Sequence, residues 1–160
     1  MFRKMRRFRQ EMTSEECTAI LKRNQTGVLA VAGDDNYPYA VPMNYLYANG
    51  KIYFHCALSG HKTDAIARNK KVSFCVIDQD DIIPEQFTSH FRSVIAFGTI
   101  RVLDDVTEKR QVMEQIAACF SPQEELNDKR AQEVERRFRA VCLWEMEIQH
   151  LSGKKSMEQV

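Results

Sequence analysis

The 160-residue sequence predicts an α+β protein whose sheet is an antiparallel β-barrel of about six strands, closed or split, with helices at its periphery. Three observations carry that expectation. Short apolar segments follow one another across tight polar turns. An Asn49-Gly50 pair, whose residues both accept positive φ, sits between two of them and marks a hairpin. The first three strand candidates lack the intervening helices that a doubly wound parallel sheet needs.

In chain order, Thr13-Ser14-Glu15-Glu16 reads as a capping box opening a helix to about Asn24 that buries Cys17, Ile20 and Leu21. "TGVLAVA" comes next, short and continuously apolar, and is expected to be a strand buried on both faces. "YPYAVPMNYLYA" reads as one long extended segment; Pro38 and Pro42 argue against an uninterrupted central strand. "KIYFHCA" pairs with it across the Asn-Gly turn, and a short helix from His61 to about Asn69 leads to the strand "KVSFCVID". "DIIPEQFTSHF" reads as a loop before the long strand "RSVIAFGTIRVLD", in which Gly98 signals a bulge or a close approach. Asp105 and Glu108 form a second capping-box pattern, and Ser121 to Glu124 a third with Pro122 at the first helical position. The latter helix, to about Arg139, has only a thin apolar stripe of Leu126, Val134 and Phe138. "AVCLWEMEIQHL" closes the barrel, with Cys142, Trp144, Met146 and Ile148 alternating on one face.

With 28% charged and 44% hydrophobic residues, the chain is an ordinary globular domain, read as a single unit over residues 1–160. Net charge is +1, which gives no general affinity for nucleic acid. All five basic residues of the arm 1–12 (Arg3, Lys4, Arg6, Arg7, Arg9) precede its first acid; without them, 18 basic face 22 acidic residues. The arm is expected to meet solvent or a protein surface rather than nucleic acid. No apolar run is long enough to span a bilayer. Five scattered cysteines without a CxxC pattern read as reduced thiols, so a soluble, cytoplasmic protein without membrane or metal partners is expected.

Candidate chemistry concentrates in a few places. Ser59-Gly60-His61-Lys62 opens a helix, and is either an ordinary helix start or an anion cradle of backbone N–H groups beside a lysine. His55 ends a strand on the face opposite Cys56, as a structural or a cleft histidine. Pro42-Met43-Asn44-Tyr45 is either an edge strand or a backbone left free to bond the edge of a flat heterocycle. Arg92 and Ser93 stand at a strand entrance. No P-loop, dinucleotide fingerprint or nucleophile arrangement is present.

Taken together, "MRRFRQ", "GDDNYPYAVPMNYLYANGKIYFHCALSGHKTDAIARNKKVSFCVI", "FRSVIAFGTIRVL" and "LSGKK" resemble the FMN-binding split-barrel superfamily of pyridoxamine 5′-phosphate oxidase. The resemblance covers nearly the whole chain and is closer to the 5-nitroimidazole-resistance branch. It implies a homodimer of six-stranded antiparallel split barrels with FMN in two interface clefts. Pro42, Met43, Asn44 and Tyr45 would face the isoalloxazine through backbone groups, and His55 would line the ring or ribityl region. Ser59, Gly60, His61 and Lys62 would hold the phosphate, with Arg92 and Ser93 as further contacts. The C-terminal segment "LSGKKSMEQV" contains no Arg, unlike the vitamin oxidases, so oxidation of pyridoxamine phosphate is not implied.

The activity implied by the resemblance is that of an FMN-dependent reductase of small planar acceptors such as nitroimidazoles, fed by NAD(P)H or a reduced carrier. His55 would be the catalytic group, tuning the flavin or donating a proton. The alternative is a flavin- or haem-binding module without turnover, with His55 or His61 as an axial haem ligand.

Overall fold

A computed structural model describes residues 1–157; the last three residues of the 1–160 domain lie outside it. Seven strands, all antiparallel, form one sheet in the order β2-β1-β5-β6-β7-β4-β3. They are β1 (Thr26–Ala32), β2 (Pro38–Asn44), β3 (Leu46–Ala48), β4 (Lys51–Ala57), β5 (Lys71–Ile83), β6 (Thr88–Val102) and β7 (Val141–Lys155). The helices are α1 (Ser14–Arg23), α2 (His61–Arg68), α3 (Val106–Phe120) and α4 (Asn127–Arg137).

The count is seven rather than six because "YPYAVPMNYLYA" is divided at Tyr45. Its first half pairs with β1 and its second with β4. β2 and β3 are therefore the two ends of the sheet and yet neighbours in the chain, which curls the sheet into a barrel with a slit between β2 and β4. Tyr45 pins the break: its amide donates to Gln25 O at 3.0 Å and its buried hydroxyl donates to Leu21 O at 2.9 Å. Pro38 and Pro42 sit on the sheet's edge strand, where a missing N–H leaves no ladder bond unmade.

Two apolar clusters organise the molecule. Inside the barrel, the rings of Tyr45 and Phe54 each meet Phe74 edge-on, with centroids 5.0 Å apart, and Leu29, Val76, Trp144 and Met146 fill the rest. α1 closes one side with Cys17, Ile20 and Leu21, and its capping box is complete. Thr13 N–H donates to Glu16 Oε2 at 2.8 Å, and Glu16 N–H donates to Thr13 Oγ1 at 3.2 Å. Outside the barrel, α3 and α4 cover the outer faces of β4 and β7 through Tyr53, Met113, Ile116, Val134 and Leu143.

Several elements depart from expectation. β1 alternates, with Gly27, Leu29 and Val31 inward and Val28 and Ala30 half-buried; its small outward side chains, not a second packed face, explain the unbroken apolar run. The expected loop "DIIPEQFTSHF" is the tip of a long hairpin in which β5 runs to Ile83 and β6 starts at Thr88. The third capping box does not form: residues Glu124–Leu126 make a 3-10 turn, and α4 starts at Asn127 without a side-chain cap. The second is half made. Glu108 N–H donates to Asp105 Oδ1 at 2.8 Å, while the Glu108 carboxylate accepts from Arg101 instead. Trp144 and Met146 are fully enclosed by the barrel and present no face to a partner, so they give no physical reason for a dimer.

The Asn49-Gly50 turn holds as expected, with φ values of 53° and 74°. Gly98 lies at a register shift between β6 and β7, where a Cβ would come within 2.0 Å of Glu147 O. The arm lies against the barrel: Glu11 bridges to Lys154, and the Phe2 ring stacks on His150 at 4.7 Å. Among the described residues, no helix is long and apolar enough to cross a membrane.

Candidate functional site

The strongest polar feature is the start of α2. Gly60 takes φ +132°, a conformation that side chains rarely adopt, and nothing lies within 4 Å of where its Cβ would be. No side chain caps the helix, so the first-turn N–H groups point outward from an open N-terminus. Lys62 comes directly after, and its charge is felt at the Cys56 thiol on β4. An uncapped amide turn, an open backbone approach at glycine and an adjacent ammonium together fit a phosphate.

His61 is placed differently from expectation. Its ring stacks on Tyr39 of β2, with centroids 4.1 Å apart, and its Nε2 is 3.6 Å from an Asp34 carboxylate that also receives Arg68. It braces the α2 start against β2 while its side chain stays partly exposed.

His55 points away from the barrel interior, opposite Cys56 as the strand alternation demands. It stays accessible and meets Phe120 edge-on at 6.5 Å. Partial withdrawal from water, and then the charge of Arg137, lower its pKa below that of a free imidazole. On the same strand, Cys56 faces Cys142 on β7, and burial pushes its thiol well up, so it is a poor nucleophile.

Pro42, Met43, Asn44 and Tyr45 line the slit with mixed orientation. Met43 and Tyr45 send their side chains into the core, while Pro42 and Asn44 are exposed. β2 approaches β4 here without a hydrogen-bonded ladder between them. Asn44 donates to Thr26 Oγ1 at 2.9 Å and to Gln25 O at 3.3 Å, so its amide holds the slit edge. Any contact from this segment to a flat ring would then come from backbone and from Pro42.

Arg92 and Ser93 are not joined to that group. Arg92 Nε donates to Asp78 Oδ2 at 2.9 Å, and Asp78 also accepts from Arg23 and from Asn24 Nδ2 at 2.9 Å. Those donors, led by Arg23, hold the Asp78 carboxyl at about 2. The cluster ties α1 to β5 and β6, and it engages the Nε edge of the partly exposed Arg92 guanidinium. Ser93 sits opposite Ile77 and Lys154 within the sheet.

No sequence signal announced that α3 and α4 would form a cavity at His55, because their apolar stripes look like ordinary packing. That cavity, of about 290 Å³, has Ile116, Phe120, Val134 and Leu143 in its wall and Arg130 and Arg137 at its edge.

The pyridoxamine 5′-phosphate oxidase family model matches residues 13–155, which spans every strand of the barrel. The chain belongs to that family. A comparison with curated proteins gives no match. Among solved structures, the chain is similar to a candidate 5-nitroimidazole antibiotic resistance protein from Bacteroides thetaiotaomicron. The two share 21% identity over 91% of this chain and 86% of that one, with a TM-score of 0.73. It is similar also to a FAD-binding protein from Mesorhizobium loti, at 25% identity over 91% and 94% of the two chains, with a TM-score of 0.64. A FAD- and haem-binding protein from Mycobacterium smegmatis aligns over 92% of this chain and 74% of its own, at 18% identity with a TM-score of 0.75.

Proposed function

We propose that this family member is a flavin-dependent oxidoreductase, using FMN and acting as a homodimer, that reduces small planar acceptors such as nitroimidazoles. The observation that carries the reading is the uncapped start of α2, with Gly60 and Lys62, which follows directly on β4, the strand that carries His55. Similarity to flavin-binding proteins and to a candidate nitroimidazole resistance protein supports it.

Bound FMN would supply the redox chemistry, taking electrons from NAD(P)H or a reduced carrier and passing them to the acceptor. The protein's part is binding and orientation. The α2 amides and Lys62 would hold the phosphate by charge-assisted hydrogen bonds, with Ser59 at the loop's entry. His61, clamped on Tyr39, fixes the loop that presents those amides. His55, kept neutral at physiological pH, offers one ring N–H and one lone pair to a group lodged in the slit, and can exchange a proton there.

The test is direct. Purified protein should be yellow, with flavin absorption bands, and heat should release a species with the mass of FMN. With a reductant present, the nitro absorbance of a nitroimidazole should fall; a constant absorbance would sink the reductase activity. A Soret band instead of flavin bands would favour haem.

A further inference from the structure

We propose that the cavity between α3, α4 and the outer faces of β4 and β7 binds a small apolar monoanion, an aromatic or branched carboxylate. The inference deepens the flavin reading, since His55, assigned above to the flavin site, also lines this cavity, but it stands on the helices rather than on the cofactor.

The shape sets the size. At about 290 Å³ the cavity lies at the small end of ligand pockets, room for roughly ten to fifteen non-hydrogen atoms. Its interior is apolar: Ile116, Phe120 and Val134 from the helices face Leu143 of β7, and the His55 ring lies edge-on to Phe120. Such a wall favours a flat or branched hydrocarbon body and disfavours a dianionic phosphate.

The charges set the sign. Three cations, Lys129, Arg130 and Arg137, border the cavity against a single acid, Glu133. Glu133 already accepts from Arg136 at 2.6 Å and from Arg137 at 2.9 Å. Arg130 donates to Ser121 O, Gln123 O and Asn127 Oδ1, all neutral acceptors, so its charge is uncompensated. No ion pair engages Lys129 among the described residues. A cationic ligand would meet net repulsion, and a neutral one would leave these charges unanswered. A carboxylate at the mouth with its apolar body inward satisfies both halves.

Isothermal titration of the purified protein with 2-naphthoate, and with neutral 2-naphthamide of the same shape, tests this. The acid should bind at least tenfold more tightly than the amide. The Lys129→Gln/Arg130→Gln double variant, which removes the two bordering cations that face no carboxylate, should lose that preference. Ala117→Phe, which fills the cavity, should abolish binding of both. Absence of naphthoate binding, equal affinities for acid and amide, or a preference surviving the double variant would each overturn the proposal. So would unchanged affinity in a folded Ala117→Phe protein; if that variant does not fold, the double variant decides. Flavin content, read from the visible spectrum of the same sample, reports on the cofactor separately.

Discussion

Two basic clusters border the barrel, and they differ in how their charges are answered. At Asp78, one nearly buried carboxylate receives Arg23, Asn24 and Arg92, and the acceptor's donors all come from within the chain. At the start of α2, the amide donors of the first turn meet no cap, and Lys62 stands beside them. Both clusters look alike in sequence: a basic residue next to a hydroxyl at the end of an element. A matched cluster holds the fold, whereas an unmatched one presents donors to a ligand.

The largest expected effect is at the matched cluster. Asp78→Ala would leave three donors without their common acceptor and should cost about 3 kcal/mol in urea unfolding, reduced somewhat because both arginines reach solvent. Flavin affinity should barely change. A loss of flavin with little loss of stability would reverse the roles assigned to the two clusters.

Next is Lys62→Ala, which would remove one charge-assisted contact to the phosphate in the proposed flavin site. It should weaken flavin binding by roughly ten- to a hundredfold while leaving the unfolding midpoint in place. Arg92→Gln is the sharpening partner of this variant, with the opposite signature expected. Should Arg92→Gln also release flavin, Arg92 would belong to the flavin site as well as to the Asp78 cluster.

A smaller effect concerns pH. Asp78 has a folded pKa near 2, below its unfolded value, so its stabilisation is complete above about pH 4 and is lost as pH falls towards 2. The wild type should therefore lose more stability than Asp78→Asn across that window. Smallest is His55, whose pKa is lowered. An NMR titration should find its ring protonating below the midpoint of a free imidazole, with the midpoint rising when Arg137→Gln removes the nearby charge.

Much of the fold was legible in order along the chain. The α1 capping box, the Asn49-Gly50 turn and the alternation that sends Cys56 inward and His55 outward are local, set by side chains within a few residues of each other. The division at Tyr45 was not legible, because it depends on which strand each half of the segment meets. Nor was the continuation of β5 and β6 through a polar stretch, since cross-strand pairing overrides a loop-like composition there. At the candidate site the helix opening after Gly60 was legible, while the contacts of His61 with Tyr39 and of Arg92 with Asp78, partners remote in sequence, were not.

The antiparallel class, the turn that pairs β3 with β4, the start of α1 and the opening of α2 are all written in the amino-acid order. Each follows from hydrogen-bonding and steric preferences acting over a handful of residues. Other features exist only in the folded chain. The sheet's two ends are one segment bent at Tyr45, α3 and α4 leave a cation-rimmed cavity at His55, and some basic residues are already paired. Those outcomes depend on contacts between residues far apart in the chain, whose donors and acceptors are matched only after the barrel has curled.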